Sequence, residues 1–150
     1  MTTLITLEEE KKLLDQLIKY YSNIYPDVEF YVEERTLSKD EIGEIFYTYQ
    51  GEEIEATADL KIRRISTALT HGYSTPIIVL EKPESKKMIL LDGHRRALCA
   101  YNFGLSWKAF IIKPNKEINF GIEKNILGKV KDRPFKACLL YTSPSPRDRG

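Results

Sequence analysis

The sequence has few of the residues that build metal sites and disulfides. Its 150 residues include 2 cysteines and 2 histidines, and one cysteine, Cys138, lies in an atypical C-terminal stretch. A zinc site needs about four such ligands, and the remaining cysteine, Cys99, allows no disulfide within the chain. These shortages argue against structural zinc and against a disulfide scaffold, and they indicate a reducing compartment.

Long apolar runs and an excess of one charge are also missing. No run approaches the roughly 18 apolar residues of a membrane span, and the N-terminus lacks the basic and apolar regions of a signal peptide. Lysine and arginine total 23 against 22 aspartate and glutamate, so the net charge is +1. Bulk charge therefore requires neither nucleic acid nor an anionic membrane as partner. We expect a cytoplasmic protein with one domain and one modest core.

The C-terminal stretch differs from the rest of the chain. Residues 138–150 begin Cys-Leu-Leu-Tyr-Thr-Ser, which the opening codons of a transposase-type sequencing adapter encode, and a Ser/Pro-rich segment follows. We interpret these residues as a translated adapter rather than as a natural tail. On this interpretation the native C-terminus is missing, and Cys99 is the only genuine cysteine.

Capping residues and apolar spacing predict the secondary structure. Thr6 with Glu9 opens an accessory N-terminal helix within residues 1–27, and Ser38 with Glu41 opens a second helix. We expect the second helix to continue to Gly51. Further helices are predicted at 57–71 and 118–127, with a frayed end at 129–137. Strands are predicted at 28–37, 77–80, 88–91 and 106–112, the first of them at a sheet edge.

Two of these strands, 77–80 and 88–91, are near-continuous apolar runs separated by a short polar segment. The pattern predicts a hairpin. Because neither run alternates with polar residues, we expect the sheet to be covered on both faces.

The second of these strands leads through Asp92 and Gly93 into a helix that opens with His94, Arg95 and Arg96. A helix N-terminus presents unpaired backbone N–H groups and the positive end of the helix dipole, so it favours anions. Gly93 has no Cβ to obstruct a phosphate. Two guanidinium groups and an imidazole supply additional donors. The stretch therefore predicts an anion site.

A simpler interpretation competes with the anion site. Asp92 would cap the helix, Gly93 would form the turn, and Arg95 and Arg96 would be solvated. Cations usually favour the last turn of a helix because of the dipole. Two arginines in the first turn therefore favour a bound anion.

These residues also carry a family resemblance. The pattern Gly72-x-x-x-Pro76-Ile77-x-Val79, followed by 91–97 and Gly104, resembles the ParB N-terminal/sulfiredoxin-like superfamily over roughly residues 28–113. The resemblance implies a single α+β domain at 28–116, built from a small mixed sheet with packed helices. The N-terminal helix and a truncated C-terminal helix at 117–137 would be additions to this domain. It also implies that the turn formed by Gly93, Arg95 and Arg96 holds nucleotide phosphates in a prokaryotic protein.

Further candidates extend the predicted site. Lys61 and Arg64 share one helix face, and in the sulfiredoxin-like members the corresponding helix approaches the nucleotide; a solvated basic face is the alternative. Thr75 would donate to a phosphate or base, or else cap a turn. Asp92 is a candidate ligand for nucleotide-borne magnesium, although a carboxylate here more often caps its helix. No resident metal site is expected.

Two activities associated with the superfamily do not fit this sequence. Gly93 occupies the position of the catalytic cysteine of sulfiredoxins, and Cys99 lies farther along the helix, so reductase activity is not expected. The label ParB-like nuclease domain is also common in the superfamily. The sequence shows no carboxylate cluster of the two-metal type to support it.

Two functions therefore stay open. In the first, the domain is a ParB-like module that binds CTP or ATP, with or without magnesium, and nucleotide occupancy switches DNA or partner binding. Any DNA-binding part and partner contacts would lie in the missing C-terminal region, and a homodimer is compatible with this function. In the second, the protein resembles the free-serine kinases of the superfamily, which have an Asp-Gly-His-x-Arg turn. Glu33 or Glu34 would then orient the nucleophile, unless they are a solvated pair.

Overall fold

A computed structural model describes residues 5–48, 65 and 72–133. These residues include three α-helices and six strands, which confirms the α+β class. In chain order they are α1 (Leu7–Ile24), β1 (Phe30–Leu37), α2 (Lys39–Gly43), β2 (Phe46–Thr48), β3 (Ile77–Glu81), β4 (Met88–Asp92), α3 (His94–Phe103), β5 (Trp107–Pro114) and β6 (Ile126–Lys129). Short 3-10 helices occupy Ile122–Asn125 and Val130–Asp132. Both predicted capping boxes are present, at the starts of α1 and α2.

The six strands form one mixed sheet in the order β1-β5-β3-β4-β2-β6. β5 runs parallel to β3, β2 runs parallel to β4, and the other neighbours are antiparallel. The predicted hairpin between β3 and β4 is therefore confirmed. The first strand lies at a sheet edge, as predicted, and β6 forms the opposite edge.

The sheet is buried on both faces, which confirms the expectation from its apolar runs. Ile77 and Val79 of β3 pack with residues of α2 and α3, whereas Ile78 and Leu80 pack with residues of α1. All four are fully buried, and each such aliphatic side chain contributes about 1.5–3 kcal/mol through removal from water. The N-terminal helix is thus part of the core.

The prediction that the second helix continues through Ile45 and Phe46 is wrong. α2 ends at Gly43, and β2 begins three residues later. Gly43 lies so close to Tyr101 that an added Cβ would be 2.6 Å from the ring. Phe46 pairs with Lys129 of β6 and with a residue of β4, so long-range strand pairing overrides the local helical spacing.

The prediction of a helix at 118–127 is also wrong. A 3-10 turn and β6 occupy its second half, and Gly128 lies inside the strand, at φ +126°, instead of ending a helix. The chain directly after β6 is not frayed, because Val130 is fully buried and donates its N–H to the carbonyl of Ile45 at 2.9 Å. Pairing with β2 supplies hydrogen bonds that a helix would otherwise provide.

Several predictions fall outside the described residues. Lys61, Arg64 and the adapter-like residues 138–150 lie there, as does almost all of the predicted helix at 57–71. Ile65, the described residue of that helix, is helical and buried. Among the described helices, none has the length and apolar character needed to cross a membrane.

Candidate functional site

The predicted strand-turn-helix is present at the motif. β4 ends at Asp92, Gly93 has φ +92° and ψ 33°, and α3 runs from His94 to Phe103. No described side chain caps the start of α3. The interpretation of Asp92 as the helix cap is therefore wrong, and the first-turn N–H groups have no side-chain cap among the described residues.

Asp92 instead belongs to a buried network around Arg96. One guanidinium nitrogen of Arg96, Nη2, donates to Asp92 Oδ2 at 2.9 Å and to Glu10 Oε2 at 3.2 Å. The other, Nη1, donates to the carbonyls of Pro76 at 2.7 Å and Thr75 at 3.3 Å. Arg96 is only 4% exposed. The Asp92 carboxylate and the Glu10 carboxyl group thus bind the Arg96 guanidinium, for which the sequence suggested a bound anion.

The space beside Gly93 is filled as well. An added Cβ would lie 2.7 Å from Ile77 Cγ2 and 2.9 Å from Arg96 Nη2. From the sequence we expected the missing Cβ to make room for a phosphate. In the structure that room holds Ile77 and Arg96, so Gly93 allows the left-handed turn and the close approach of Arg96.

Glu10, the second acidic residue of this network, was missed by sequence reasoning. It lies in the first turn of α1 and is fully buried. Burial raises the pKa of Glu10 to about 8; Arg96 opposes the rise, and the neighbouring Asp92 carboxylate reinforces it. Acidic residues are common in first helical turns because of the dipole, so nothing in the spacing distinguished Glu10 from Glu8.

His94 is buried and hydrogen-bonded to a residue of β2. Its Nε2 lies 2.7 Å from Thr48 Oγ1, and Thr48 in turn donates to the carbonyl of Leu90 at 2.9 Å. Because Thr48 uses its single proton on Leu90, we assign the ring proton to Nε2 of His94. Burial, together with the positive charge of Arg96, lowers the pKa of His94 to about 3. His94 is therefore neutral at physiological pH, not a cationic phosphate ligand.

Nδ1 of His94 is the other polar atom of this ring. It is buried and has no hydrogen-bond partner within the described part of the chain. In the tautomer with the proton on Nε2, Nδ1 is an acceptor.

Arg95, the other arginine of the motif, is half-buried. Burial lowers the pKa of the Arg95 guanidinium, and Tyr47 opposes that effect. A further cation, Arg133, lies 4.7 Å from the centre of the Tyr47 ring, and the ring of His94 meets the same tyrosine edge-on at 5.0 Å. Burial raises the pKa of Tyr47, and the positive charges of Arg133 and Arg95 oppose the rise. One guanidinium group therefore lies over Tyr47, and a second one, that of Arg95, interacts electrostatically with the same tyrosine at the start of α3.

Comparisons with family models, with characterised proteins and with solved structures find no match to this chain. The superfamily resemblance therefore stays a prediction based on the motif residues. The geometry at the start of α3, including Tyr47, Thr48 and Arg133, is therefore the basis for proposing a function. Sequence reasoning missed these three because they belong to segments that were predicted to be helical or frayed.

Thr75, a predicted phosphate or base contact, lies near the network, but its hydroxyl is hydrogen-bonded within the protein. Its side chain is 7% exposed and donates to the carbonyl of Ile5 at 3.1 Å. Its carbonyl accepts from Arg96 and from Nε1 of Trp107, the latter at 2.8 Å. These bonds give Thr75 a structural role that joins the start of β3 to α3 and β5.

The candidate catalytic carboxylates Glu33 and Glu34 lie far from the turn. Across the sheet, Glu34 of β1 pairs with Phe110 of β5, Phe110 pairs with Ile78 of β3, and Ile78 pairs with Asp92 of β4. Three interstrand spacings, about 14 Å, therefore separate the backbone of Glu34 from that of Asp92. Glu33 accepts from Lys113 at 3.0 Å, which lowers its pKa.

Glu34 does line a cleft of about 340 Å³ that also contains Thr75, but none of residues 92–96 lines it. The structure therefore does not bring either glutamate to the motif. Among residues 5–48, 65 and 72–133, no three His, Cys, Asp or Glu side chains are arranged to hold a metal ion.

Proposed function

We propose that this domain binds a nucleotide through its phosphate groups at the start of α3. The observation that carries the proposal is that the first turn of α3 has no side-chain cap among the described residues, while Arg95 lies in that turn and Arg133 lies over the ring of Tyr47, which contacts His94. Uncapped backbone N–H groups and guanidinium groups are both strong donors to phosphate oxygens. CTP and ATP, with or without magnesium, are the ligands that the ParB-like resemblance implies.

The residues of the motif take different roles in this proposal. First-turn N–H groups, Arg95 and Arg133 are the candidate phosphate contacts. Gly93 and Arg96 are positioning residues, because the network of Arg96 holds the turn against β3 and α1. His94 keeps a neutral ring against Thr48.

The same network supports a switching role. Glu10 connects the turn to α1 through Arg96, so a ligand that alters the turn would also alter the contacts of the N-terminal helix. We propose that nucleotide occupancy regulates DNA or partner binding in this way. The distance between the turn and Glu33 or Glu34 favours such a binding module over phosphoryl transfer to serine, because transfer needs a carboxylate beside the reacting phosphate.

The test is calorimetry on the full chain with CTP, ATP, GTP and inorganic triphosphate, each with magnesium. We expect a nucleotide to bind more tightly than triphosphate, and Arg95→Ala and Arg133→Ala each to weaken binding about tenfold. Lys116→Ala is the control, because it removes one positive charge beyond β5. Absence of binding by the wild-type protein, or unchanged affinity in both arginine variants, would overturn the proposal.

A further inference from the structure

β1 forms one edge of the sheet and has features that favour pairing with another strand. Its eight residues align with β5 without a bulge, and within the described residues no strand pairs on its outer side. Tyr31 and Val32 are 57% and 43% exposed. Natural edge strands usually avoid association by being short, bulged, proline-containing or charged. β1 is long, unbulged and free of proline, and its charged residues are of both signs.

The backbone groups that face outward can be identified from the end of the strand. The carbonyl of Glu29 accepts from the N–H of Asn115 at 2.9 Å, so the backbone groups of Glu29 point toward the β5 side. Because the direction alternates along a strand, residues 31, 33, 35 and 37 also point toward β5. Residues 30, 32, 34 and 36 therefore present their N–H and C=O groups to the open edge.

The charges along this edge are self-complementary. Arg35 makes no ion pair with a described residue, and its buried Nε has no hydrogen-bond partner within the described part of the chain. Glu33 lies two positions away and is 40% exposed at its side chain despite its contact with Lys113. This arginine and the accessible glutamate beside it suit a second strand that carries the same two residues in the opposite direction.

We propose that β1 pairs antiparallel with β1 of a second copy of this chain, with Glu34 at the two-fold axis. In this register Glu33 of each copy lies opposite Arg35 of the other, and Val32 lies opposite Thr36. The outward backbone groups of residues 32, 34 and 36 then face each other and form about six hydrogen bonds. The two sheets become one continuous sheet.

Neighbouring registers are less favourable. A shift of the axis to Glu33 places Glu33 opposite Glu33 and Val32 opposite Glu34, and a shift to Arg35 places two arginines together. An axis that falls between two residues sets outward backbone groups against inward ones, so the ladder is lost. In the proposed register the two Glu34 side chains meet at the axis, and each has Lys108 within 3.5 Å to neutralise it.

The test uses two charge-reversed variants and their mixture. Sedimentation and light scattering across a concentration series should show a reversible dimer of the wild-type protein. Glu33→Arg places two positive charges opposite each other in the dimer, and Arg35→Glu places two negative charges opposite each other. Each variant alone should therefore dimerise at least about tenfold more weakly. An equimolar mixture of the two variants should restore association. In the mixed dimer one strand carries arginine at positions 33 and 35 and the other carries glutamate at both, so each of the two pairs joins opposite charges.

Circular dichroism on each variant confirms that the fold is intact, which is expected because both residues lie on an edge strand. A wild-type protein that stays monomeric at all concentrations would overturn the proposal. So would variants that dimerise like the wild type, or a mixture that associates no better than its components. None of these outcomes depends on whether the start of α3 binds a nucleotide.

Discussion

Glu10 Oε2 lies 3.2 Å from Arg96 Nη2 in the interior of the protein, although the two residues are 86 positions apart in the chain. Arg96 is also held by Asp92, two positions before α3. An arginine in the first turn of a helix is unfavourable with respect to the helix dipole, and here the Asp92 carboxylate and the hydrogen bond to Glu10 offset that cost. The contact ties α1 to the motif turn.

The first prediction concerns the pH dependence of this contact. The pKa of Glu10 is raised by burial from 4.5 to about 8, so the folded state favours the protonated carboxyl. The stability contribution of Glu10 is then fully present below pH 4.5 and is lost as pH rises through about 8. Glu10→Gln mimics the protonated form, so the variant should gain stability relative to the wild type over this range.

Urea unfolding of both proteins across that pH range measures the difference. The difference between the two unfolding free energies should change steadily with pH in favour of Glu10→Gln. A difference that stays constant from pH 4.5 to 8 would show that Glu10 titrates normally. The comparison cancels other titrating groups, which both proteins share.

The second prediction separates the two adjacent arginines by giving both the same substitution. Arg96→Lys loses donors to Glu10, Asp92 and two buried carbonyls, so we expect a stability loss of about 2–4 kcal/mol. Arg95→Lys lies at a half-buried position, and it should cost less than about 1 kcal/mol. Nucleotide affinity should show the opposite order, with a loss of about fivefold for Arg95→Lys and little change for Arg96→Lys.

Unfolding and calorimetry on the same two preparations give both quantities. If Arg96→Lys lowered nucleotide affinity more than Arg95→Lys did while stability was unaffected, Arg96 would be a ligand contact. Its hydrogen bonds to Glu10, Asp92 and Pro76 would then have to be exchanged for bonds to the ligand.

The motif and the central hairpin were predictable because their signals are local. Capping boxes, apolar runs and the Asp92–Gly93 turn depend on residues that are adjacent or nearly adjacent in sequence. The buried network was not predictable, because Glu10 resembles any acidic residue in a first helical turn. Its role appears only when α1 is packed against the sheet.

β2 and β6 were missed for a related reason. Their spacing of apolar residues is compatible with helices, and they are stabilised as strands by each other: Phe46 pairs with Lys129 across 83 positions of the chain. Intrinsic propensity is a weak prior when such long-range pairing is available. The same misassignment concealed Tyr47, Thr48 and Arg133, which complete the candidate site.

The third prediction concerns the ionisation of His94. Burial lowers its pKa from 6.5 to about 3, so the folded state favours the neutral ring. Stability from this residue is present above pH 6.5 and is lost as pH falls through about 3. NMR spectra of the histidine ring should therefore show no titration of His94 near pH 6.5, and they should report the tautomer with the proton on Nε2.

The hydrogen bond to Thr48 provides an independent check on His94. Thr48→Val keeps the shape of the side chain but leaves Nε2 of His94 and the carbonyl of Leu90 without their partner, which should cost about 1–3 kcal/mol. If the ring signals of His94 titrated at an ordinary pKa, or if Thr48→Val were as stable as the wild type, the proposed ring environment would be incorrect.

The last prediction compares two glycines with nearly the same φ. Gly93 and Gly121 have φ +92° and +87°, but an added Cβ at Gly121 meets nothing within 4 Å, whereas at Gly93 it would lie 2.7 Å from Ile77. Gly121→Ala should cost about 1 kcal/mol for the positive φ alone. Gly93→Ala should cost roughly 1–3 kcal/mol more because of the overlap. Equal costs by urea unfolding would mean that Ile77 and Arg96 leave this space, and the room beside Gly93 would then be open to a phosphate.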